Sequence, residues 1–103
     1  MDVNCSNTKL QNIYETGKPS KKYRLSQDII DKFIMRVDAL IAAETIHDLW
    51  KHPALNFEKL KGSDEVYSLR LNKQYRLEVS IEWTNNEKTI GVIDVLEISN
   101  HYD

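Results

Sequence analysis

The feature that most constrains the fold is a run of alternating apolar and polar residues from Ser68 to Trp83, "SLRLNKQYRLEVSIEW". Alternation with a period of two is typical of β-strands that bury one face. The polar residues at 72–74 interrupt the alternation and predict a turn, so the run forms a β-hairpin. In this register Arg70 lies directly opposite Arg76 on the polar face. Facing cations are unfavourable in a sheet, so we expect a further group to offset the repulsion between these two arginines.

The second half of the chain is predicted to contain three antiparallel strands, at about 66–71, 75–83 and 89–98. A polar turn at 85–88 separates the last two strands. The last strand has apolar residues on both faces, which is typical of a strand that lies inside a sheet or under a covering layer. Strict alternation divides them into two sets, Ile90, Val92, Leu96 and Ile98 on one face and Ile93 and Val95 on the other.

The first half of the chain is predicted to be helical. A short helix at about 6–14 ends where Gly17 and Pro19 break the pattern. A longer helix begins after Ser26, a residue that favours the N-cap position. One side of this helix carries a continuous apolar stripe and the other side is polar. The stripe contains Ile30, Phe33, Ile34, Val37, Leu40 and Ile41, and the polar side contains Lys32, Arg36 and Asp38.

Thr45 and Asp48 have the spacing of a capping box and predict a brief helical turn, which Pro53 ends. The apolar residues that follow form a first strand or an extended stretch: Leu55, Phe57 and Leu60. Helices followed by a meander of antiparallel strands predict an α+β fold, with the helices packed on one face of a small curved sheet. The length suits one domain that spans residues 1–103.

Several classes of protein are disfavoured by composition. No apolar run approaches the roughly 20 residues that cross a bilayer, and the first residues lack the apolar core of a signal peptide. Cys5 is the single cysteine, so an intrachain disulfide is impossible and a cytoplasmic location is expected. The histidines His47, His52 and His101 do not share the spacing of metal ligands. The glycines form no phosphate-binding loop, and we expect neither a metal nor a cofactor.

Basic residues concentrate at two places in a chain of net charge −2. The first is the segment "GKPSKKYR", which contains Lys21, Lys22 and Arg24 and is either a solvated loop or a patch that grips phosphates. The second precedes and includes the hairpin, and consists of Lys59, Lys61, Arg70, Lys73 and Arg76.

The hairpin arginines allow two interpretations. An arginine on a strand is usually solvated or paired with a nearby carboxylate, and Glu78 is available to Arg76. Alternatively, a bound phosphodiester would remove the repulsion between Arg70 and Arg76 and would accept hydrogen bonds from both guanidinium forks. Spacing does not decide between an ion pair and an anion site.

The residues around this hairpin resemble the HigB/RelE-type toxins of bacterial toxin–antitoxin pairs. The stretch "NFEKLKGSDEVYSLRLNKQYRLEVSIEW" carries the likeness most specifically, with an "LKG" element followed by "YSxRxNxQYR". "LQNIYETGKPS" and "VDALIAAETIHDL" are similar to the helical half of that family. The resemblance implies a ribosome-dependent endoribonuclease that cuts messenger RNA. It also implies a cognate helix-turn-helix antitoxin, through which alone the toxin would reach operator DNA.

Roles for individual residues follow from the same resemblance. Lys61, Arg70 and Arg76 match the basic positions of the family, and Arg76 with Arg70 or Lys61 would stabilise charge on the phosphoryl oxygens. His101 or Tyr102 would serve in acid–base catalysis, with Glu58 a further candidate base. The other basic residues would contact RNA: Lys59, Lys73, Lys21, Lys22 and Arg24.

The chain departs from the family pattern at two places. Many members have histidine in the stretch before "LKG", where this chain has Glu58, and many end in Asp-Tyr-His, where this chain has Asn100-His101-Tyr102. Two other functions are therefore open: a ParE-like toxin that poisons DNA gyrase, and a degenerate toxin that retains only antitoxin or operator binding. The opposed arginines favour the nuclease, because a protein that only binds has less need of them.

Overall fold

The computed structural model describes residues 1–21, 23–62 and 65–100 of the chain. Its elements, in chain order, are β1 (Asp2–Cys5), α1 (Thr8–Thr16), α2 (Gln27–Ala42), α3 (Ile46–Lys51), a 3-10 turn (Pro53–Leu55), β2 (Glu58–Lys59), β3 (Val66–Arg70), β4 (Tyr75–Trp83) and β5 (Gly91–Asn100). The strands form one mixed sheet in the order β1-β5-β4-β3-β2. The predicted α+β fold is confirmed.

The hairpin of β3 and β4 has the register that the alternation predicts, and Arg70 pairs with Arg76. Asn72 closes the turn, since its side-chain Oδ1 accepts hydrogen bonds from the backbone N–H groups of Gln74 (2.8 Å) and Tyr75 (2.7 Å). An asparagine that bonds the backbone two and three residues ahead is a common turn device. The turn chemistry and the alternation therefore specify the same register.

The first strand, β1, was not predicted. It lies at the edge of the sheet and pairs with β5 in parallel, so the antiparallel meander carries one parallel strand. Asp94 of β5 fixes the end of β1, because its carboxylate accepts hydrogen bonds from the N–H of Ser6 (2.9 Å) and from its hydroxyl (2.8 Å). Four residues with polar alternating positions give too weak a pattern to predict a strand.

An irregularity in β5 corrects the predicted division of its apolar residues. Glu78 pairs with Glu97 and Val79 pairs with Val95, so Leu96 is an extra residue without a partner on β4. An extra residue of this kind is a β-bulge, and it reverses which face the later side chains point to. Ile98 consequently shares the buried face with Ile93 and Val95, whereas strict alternation placed it on the other side.

The helices cover one face of the sheet and form the core with it. Ser26 caps α2 as predicted, and Thr45 with Asp48 forms the predicted capping box of α3. α1 is displaced from the expected 6–14 to Thr8–Thr16, with Asn7 as its N-cap. The fully buried core residues come from both layers and include Leu10, Ile13, Ile30, Phe33, Leu40, Leu77, Val79 and Ile93. Burial of each such side chain stabilises the fold by roughly 1.5–3 kcal/mol.

Two residues of α2 lie differently from the prediction. Ile41, assigned to the apolar stripe, is 49% exposed. Arg36, assigned to the solvated side, is only 7% exposed. Arg36 follows Phe33 by three positions and precedes Leu40 by four, so the helical period places it inside the buried stripe.

The expected β2 is shorter than the apolar stretch suggested. Only Glu58 and Lys59 form strand, while Leu55 belongs to the 3-10 turn. Within the described residues, the helices are all too short or too polar to cross a membrane.

Candidate functional site

The face of the sheet opposite the core carries two adjacent rows of polar side chains. Because paired residues on neighbouring strands point to the same face, the register defines both rows. The first row runs across β3, β4 and β5 and consists of Arg70, Arg76 and Ser99. The second row also includes β2 and consists of Glu58, Ser68, Glu78 and Glu97. We call this surface the polar face.

Arg76 is held in place by neutral oxygen atoms. Its Nε donates to the hydroxyl of Ser68 (2.8 Å), and its Nη2 donates to the carbonyl oxygens of Asn56 (2.7 Å) and Ser68 (3.3 Å). A guanidinium has five N–H groups, and the two on Nη1 have no partner among the residues that the structure describes. The side chain is half-buried, and these hydrogen bonds fix the orientation of its guanidinium.

Ser68 and Asn56 are the residues that orient Arg76. Ser68 is 1% exposed, and its hydroxyl lies on the polar face beneath the guanidinium. Asn56 has a positive φ of 42°, the left-handed conformation that asparagine tolerates better than most residues. Its carbonyl thereby accepts the Arg76 hydrogen bond at the end of the 3-10 turn.

Arg70 is the more accessible member of the pair. It is exposed, and its Nε donates to the carbonyl oxygen of Asn72 at 3.3 Å; within the described part of the chain its two terminal nitrogens have no partner. Across the described ranges 1–21, 23–62 and 65–100, neither Arg70 nor Arg76 is bonded to a carboxylate. The alternative that Glu78 neutralises Arg76 is therefore not observed.

Carboxylates form the neighbouring row of the polar face. Glu58 lies opposite Ser68, the residue that anchors Arg76, and Glu78 lies opposite Ser68 on its other side. Directly opposed residues have Cβ atoms about 4.5–5.5 Å apart. Carboxylates and a guanidinium pair consequently share one surface, which is an arrangement suited to proton transfer beside a stabilised anion.

The other predicted RNA-binding lysines are dispersed. Lys59 pairs with Tyr67, so it points to the face opposite that of Arg76 and lines a cleft of about 430 Å³ with Trp50 and Trp83. Lys61 is exposed in the turn after β2. Lys73 is exposed in the β3–β4 turn, on the same side as Arg70. The structure therefore brings Lys73 into one cleft with Arg70 and directs Lys59 to the opposite face of the sheet.

Several predicted residues lie elsewhere in the chain. Lys21 and Arg24 are exposed in the α1–α2 connection, next to Tyr23, whose hydroxyl accepts a hydrogen bond from the side chain of Asn7 (3.0 Å). Lys22, His101 and Tyr102 lie outside the described residues. β5 continues to Asn100, which pairs with Tyr75 immediately before Arg76.

Arg36 is a cation that sequence reasoning overlooked. It crosses from α2 to the hairpin: its Nε donates to the backbone oxygen of Arg70 (2.9 Å) and its Nη2 to that of Ala54 (3.4 Å). Burial lowers the pKa of this guanidinium below its ordinary value. The sequence contains a signal for the burial of Arg36, because this residue occupies a position of the apolar stripe. No local pattern indicates that Ser68 and Asn56 hold Arg76.

No set of three metal-ligating side chains comes together in the part of the chain that the structure describes.

Comparison with a solved structure defines the kind of fold. A YoeB/ParE toxin from Agrobacterium tumefaciens superposes with a TM-score of 0.53 over 99% of this chain and 100% of that one, at 15% identity. An identity this low shows the fold alone, and the fold is that of a small RelE/YoeB-like toxin.

Sequence comparison then identifies the family. The family described as HigB-like, RelE-like toxins of type II toxin–antitoxin systems matches residues 4–95. An uncharacterized protein from Haemophilus influenzae is 32% identical over 79 residues, which cover 76% of this chain and 74% of that protein. The chain belongs to the HigB-like toxin family, which confirms the resemblance seen in its sequence. A toxin of a type II system has a cognate antitoxin as its partner.

Proposed function

We propose that this toxin is a ribosome-dependent endoribonuclease that cuts messenger RNA in the cytoplasm. One observation carries the proposal: two opposed guanidinium groups on the polar face are held by neutral oxygens and retain N–H donors without a partner among the described residues. A phosphodiester placed between them would relieve their repulsion and accept charge-assisted hydrogen bonds from both. The proposed substrate is RNA, whose 2′-hydroxyl would supply the nucleophile.

The reaction is a transesterification within the RNA strand. The 2′-oxygen attacks the adjacent phosphorus, the bond from phosphorus to the 5′-oxygen breaks, and the products are a 2′,3′-cyclic phosphate and a 5′-hydroxyl. Arg76 stabilises the charge that develops on the phosphoryl oxygens, with Arg70 on the opposite strand assisting. Fixed donors aimed at developing charge are commonly the largest single contribution to catalysis.

Proton transfer requires a base for the 2′-hydroxyl and an acid for the leaving 5′-oxygen, each of which contributes about 10²–10⁴-fold. Glu58 is the proposed base, since it occupies the row next to Arg76 on the same face. His101 or Tyr102 is the proposed acid, because both directly follow Asn100, the last residue of β5. Lys61 and Lys73 are proposed to contact the flanking backbone.

Arg76→Ala tests the proposal directly. We expect cleavage of translated messenger RNA to fall at least about 100-fold, the loss typical for removal of one donor to a developing oxyanion. Growth arrest on expression should disappear, while binding of the co-expressed antitoxin is retained. Cleavage is measured by mapping 5′-hydroxyl ends on ribosome-bound transcripts. Lys9→Ala, which removes an exposed cation on α1, is the matched control and should remain toxic.

The result can contradict the proposal in three ways. An Arg76→Ala protein as active as the parent would exclude the catalytic role of Arg76. Growth arrest with DNA damage and intact transcripts would indicate a gyrase poison of the ParE kind. A parent protein that is harmless but binds its antitoxin, proposed to be a helix-turn-helix protein, would indicate a degenerate toxin.

A further inference from the structure

A basic cleft lies between α2 and the β3–β4 turn, beside the polar face but distinct from it. It encloses about 340 Å³, and its charged lining consists of Lys32, Arg36, Arg70 and Lys73, with Asn72 as a polar neighbour. Among the described residues that line it, none is acidic. We call it the Arg36 cleft. Four cations around one concavity create a positive potential that only an anion offsets.

The buried guanidinium at the base of this cleft is incompletely satisfied. Arg36 uses Nε and Nη2 for the carbonyls of Arg70 and Ala54, and its Nη1 has no hydrogen-bond partner in the ranges 1–21, 23–62 and 65–100. Every fully buried side-chain nitrogen of the described residues does have a partner. Nη1 of Arg36 must therefore reach solvent, and the cleft that Arg36 lines provides the opening. A charge that is buried without a carboxylate is costly, and a bound anion at Nη1 would offset that cost.

The cleft is physically connected to the proposed cleavage site. Arg70 lines the Arg36 cleft and also opposes Arg76 on the polar face. Arg36 holds the backbone of Arg70 from below through the 2.9 Å hydrogen bond. A polyanion with regularly repeated charges could pass from Arg76 over Arg70 into the cleft, so that successive charges meet successive cations.

An acidic surface bounds the cleft on its far side. Lys32 and Asn72 also line a neighbouring concavity that contains Asp28 and Asp31. Those carboxylates would repel a polyanion that continued in that direction. The anion path therefore ends at Lys32, which makes the cleft a terminal subsite.

We propose that the Arg36 cleft binds one backbone phosphate of the RNA strand, next to the phosphate that Arg70 and Arg76 hold for cleavage. The proposal rests on the proposed nuclease function and adds a second phosphate subsite to it. RNA is favoured over an acidic protein segment because Arg70 belongs to both sites, so one continuous phosphate chain can occupy them. Lys73 and Lys32 close over the phosphate from the turn and the helix, while Nη1 of Arg36 contacts it from the base.

Binding of a non-cleavable RNA separates this subsite from catalysis. The probe is a single-stranded oligonucleotide with 2′-O-methyl groups throughout, and its affinity for the full-length protein is measured against salt concentration. Each neutralised phosphate of a single strand contributes about 0.7 to the slope of log K against log salt. The double variant Lys32→Ala/Lys73→Ala should bind about 5- to 10-fold more weakly, with a slope lower by about 0.7, the contribution of one phosphate.

The control is the double variant Lys9→Ala/Lys51→Ala, which removes the same charge from exposed positions on α1 and α3. It should bind nearly as well as the parent. Because both lysines of the cleft are exposed, their replacement leaves the core intact. Arg36→Met, with melting temperature as a check on folding, should show the same loss in slope as the lysine pair if it folds.

Binding of an anion in the cleft can be measured directly at the Arg36 side chain by NMR. Titration of the parent with inorganic phosphate should move the ¹⁵Nε–¹Hε resonance of Arg36 saturably, while chloride at equal ionic strength should not. Equal RNA affinity and slope in the cleft and control variants would overturn the subsite, whether or not the protein cuts RNA. If the cleft variant bound RNA normally but lost the antitoxin, the cleft would be a docking site for an acidic protein segment.

The outcomes of the two proposals are independent. Loss of cleavage in Arg76→Ala together with unchanged RNA binding by the cleft variant retains the nuclease and rejects the subsite. A parent that binds RNA through the cleft but never cuts it retains the subsite and rejects the nuclease.

Discussion

Single residues decide how the polar face is organised, and Ser68 illustrates this. A serine between two apolar strand residues gives no sequence signal, yet its buried hydroxyl fixes the direction of Arg76. Hydrogen bonds to charged groups are worth about 1.5–3 kcal/mol. Without the Ser68 hydroxyl, only the backbone carbonyls of Asn56 and Ser68 would hold Arg76, both through Nη2.

Ser68→Ala should therefore reduce catalysis more than stability. We expect the cleavage rate to fall by roughly tenfold, since about 1.4 kcal/mol of lost orientation equals one factor of ten. Ser80→Ala is the matched control, because Ser80 lies on the same face of β4 and its hydroxyl has no partner among the described residues. Full activity in Ser68→Ala would show that the two backbone carbonyls orient the guanidinium without the hydroxyl.

At the scale of elements, α3 depends on its capping box for a defined start. The backbone N–H groups of Glu44 and Thr45 donate to the Asp48 carboxylate, at 2.9 and 3.3 Å, and thereby lower the pKa of Asp48. A carboxyl whose pKa is lowered by folding adds stability above its unfolded pKa of about 3.9 and loses it as the pH falls through the folded value. The cap is therefore sensitive to acid.

Two variants separate the contribution of the Asp48 carboxylate, which titrates, from that of the Thr45 hydroxyl, which does not. Asp48→Ala should lower the melting temperature at pH 5–7, and its deficit relative to the parent should shrink as the pH falls below about 4. Thr45→Ala should cost about 1 kcal/mol at every pH, because its hydroxyl does not titrate. A deficit of Asp48→Ala that stayed constant down to pH 2 would contradict the charge-assisted cap.

The start of β5 depends on a close approach between strands. A Cβ at Gly91 would lie 2.6 Å from the backbone oxygen of Glu82 and 2.7 Å from Cγ2 of Ile81. Gly91→Ala should thus destabilise the fold by about 2–3 kcal/mol through overpacking. Gly62→Ala is the comparison, since a Cβ there meets nothing within 4 Å and only the positive φ of 81° costs energy, about 1 kcal/mol. Urea unfolding measures both; equal costs would refute the steric argument.

At the scale of the whole molecule, the sheet combines contacts that are near and far in sequence. The β3–β4 hairpin pairs residues separated by a short turn, whereas β1 pairs the start of the chain with β5. Long loops are costly to close before their contacts form. We expect the hairpin to form early in folding and β1 to dock last.

Folding kinetics test this order with two valine truncations. Val3→Ala in β1 should cost about 1 kcal/mol and appear almost entirely as an unfolding rate raised about fivefold. Val79→Ala in the hairpin should slow folding instead. A Val3→Ala protein that folded more slowly than the parent, with an unchanged unfolding rate, would place β1 in the folding nucleus.

The predictable parts of the molecule are those that depend on neighbours in the sequence. The alternation of apolar and polar residues predicted the hairpin and the opposition of Arg70 and Arg76. Side-chain capping chemistry predicted where α2 and α3 begin. The family resemblance rested on the same hairpin residues. Each of these features involves residues within a few positions of one another, so a local pattern records it.

Tertiary structure alone decided the rest: the parallel edge strand β1, the bulge at Leu96, the anchoring of Arg76 by Ser68 and Asn56, and the hydrogen bonds of Arg36 to the backbone of Arg70 and Ala54. Each of these depends on contacts with residues that are distant in the chain. A guanidinium on a helix or a short polar strand has no fixed environment until packing supplies one, because burial and hydrogen-bond geometry are properties of the assembled layers.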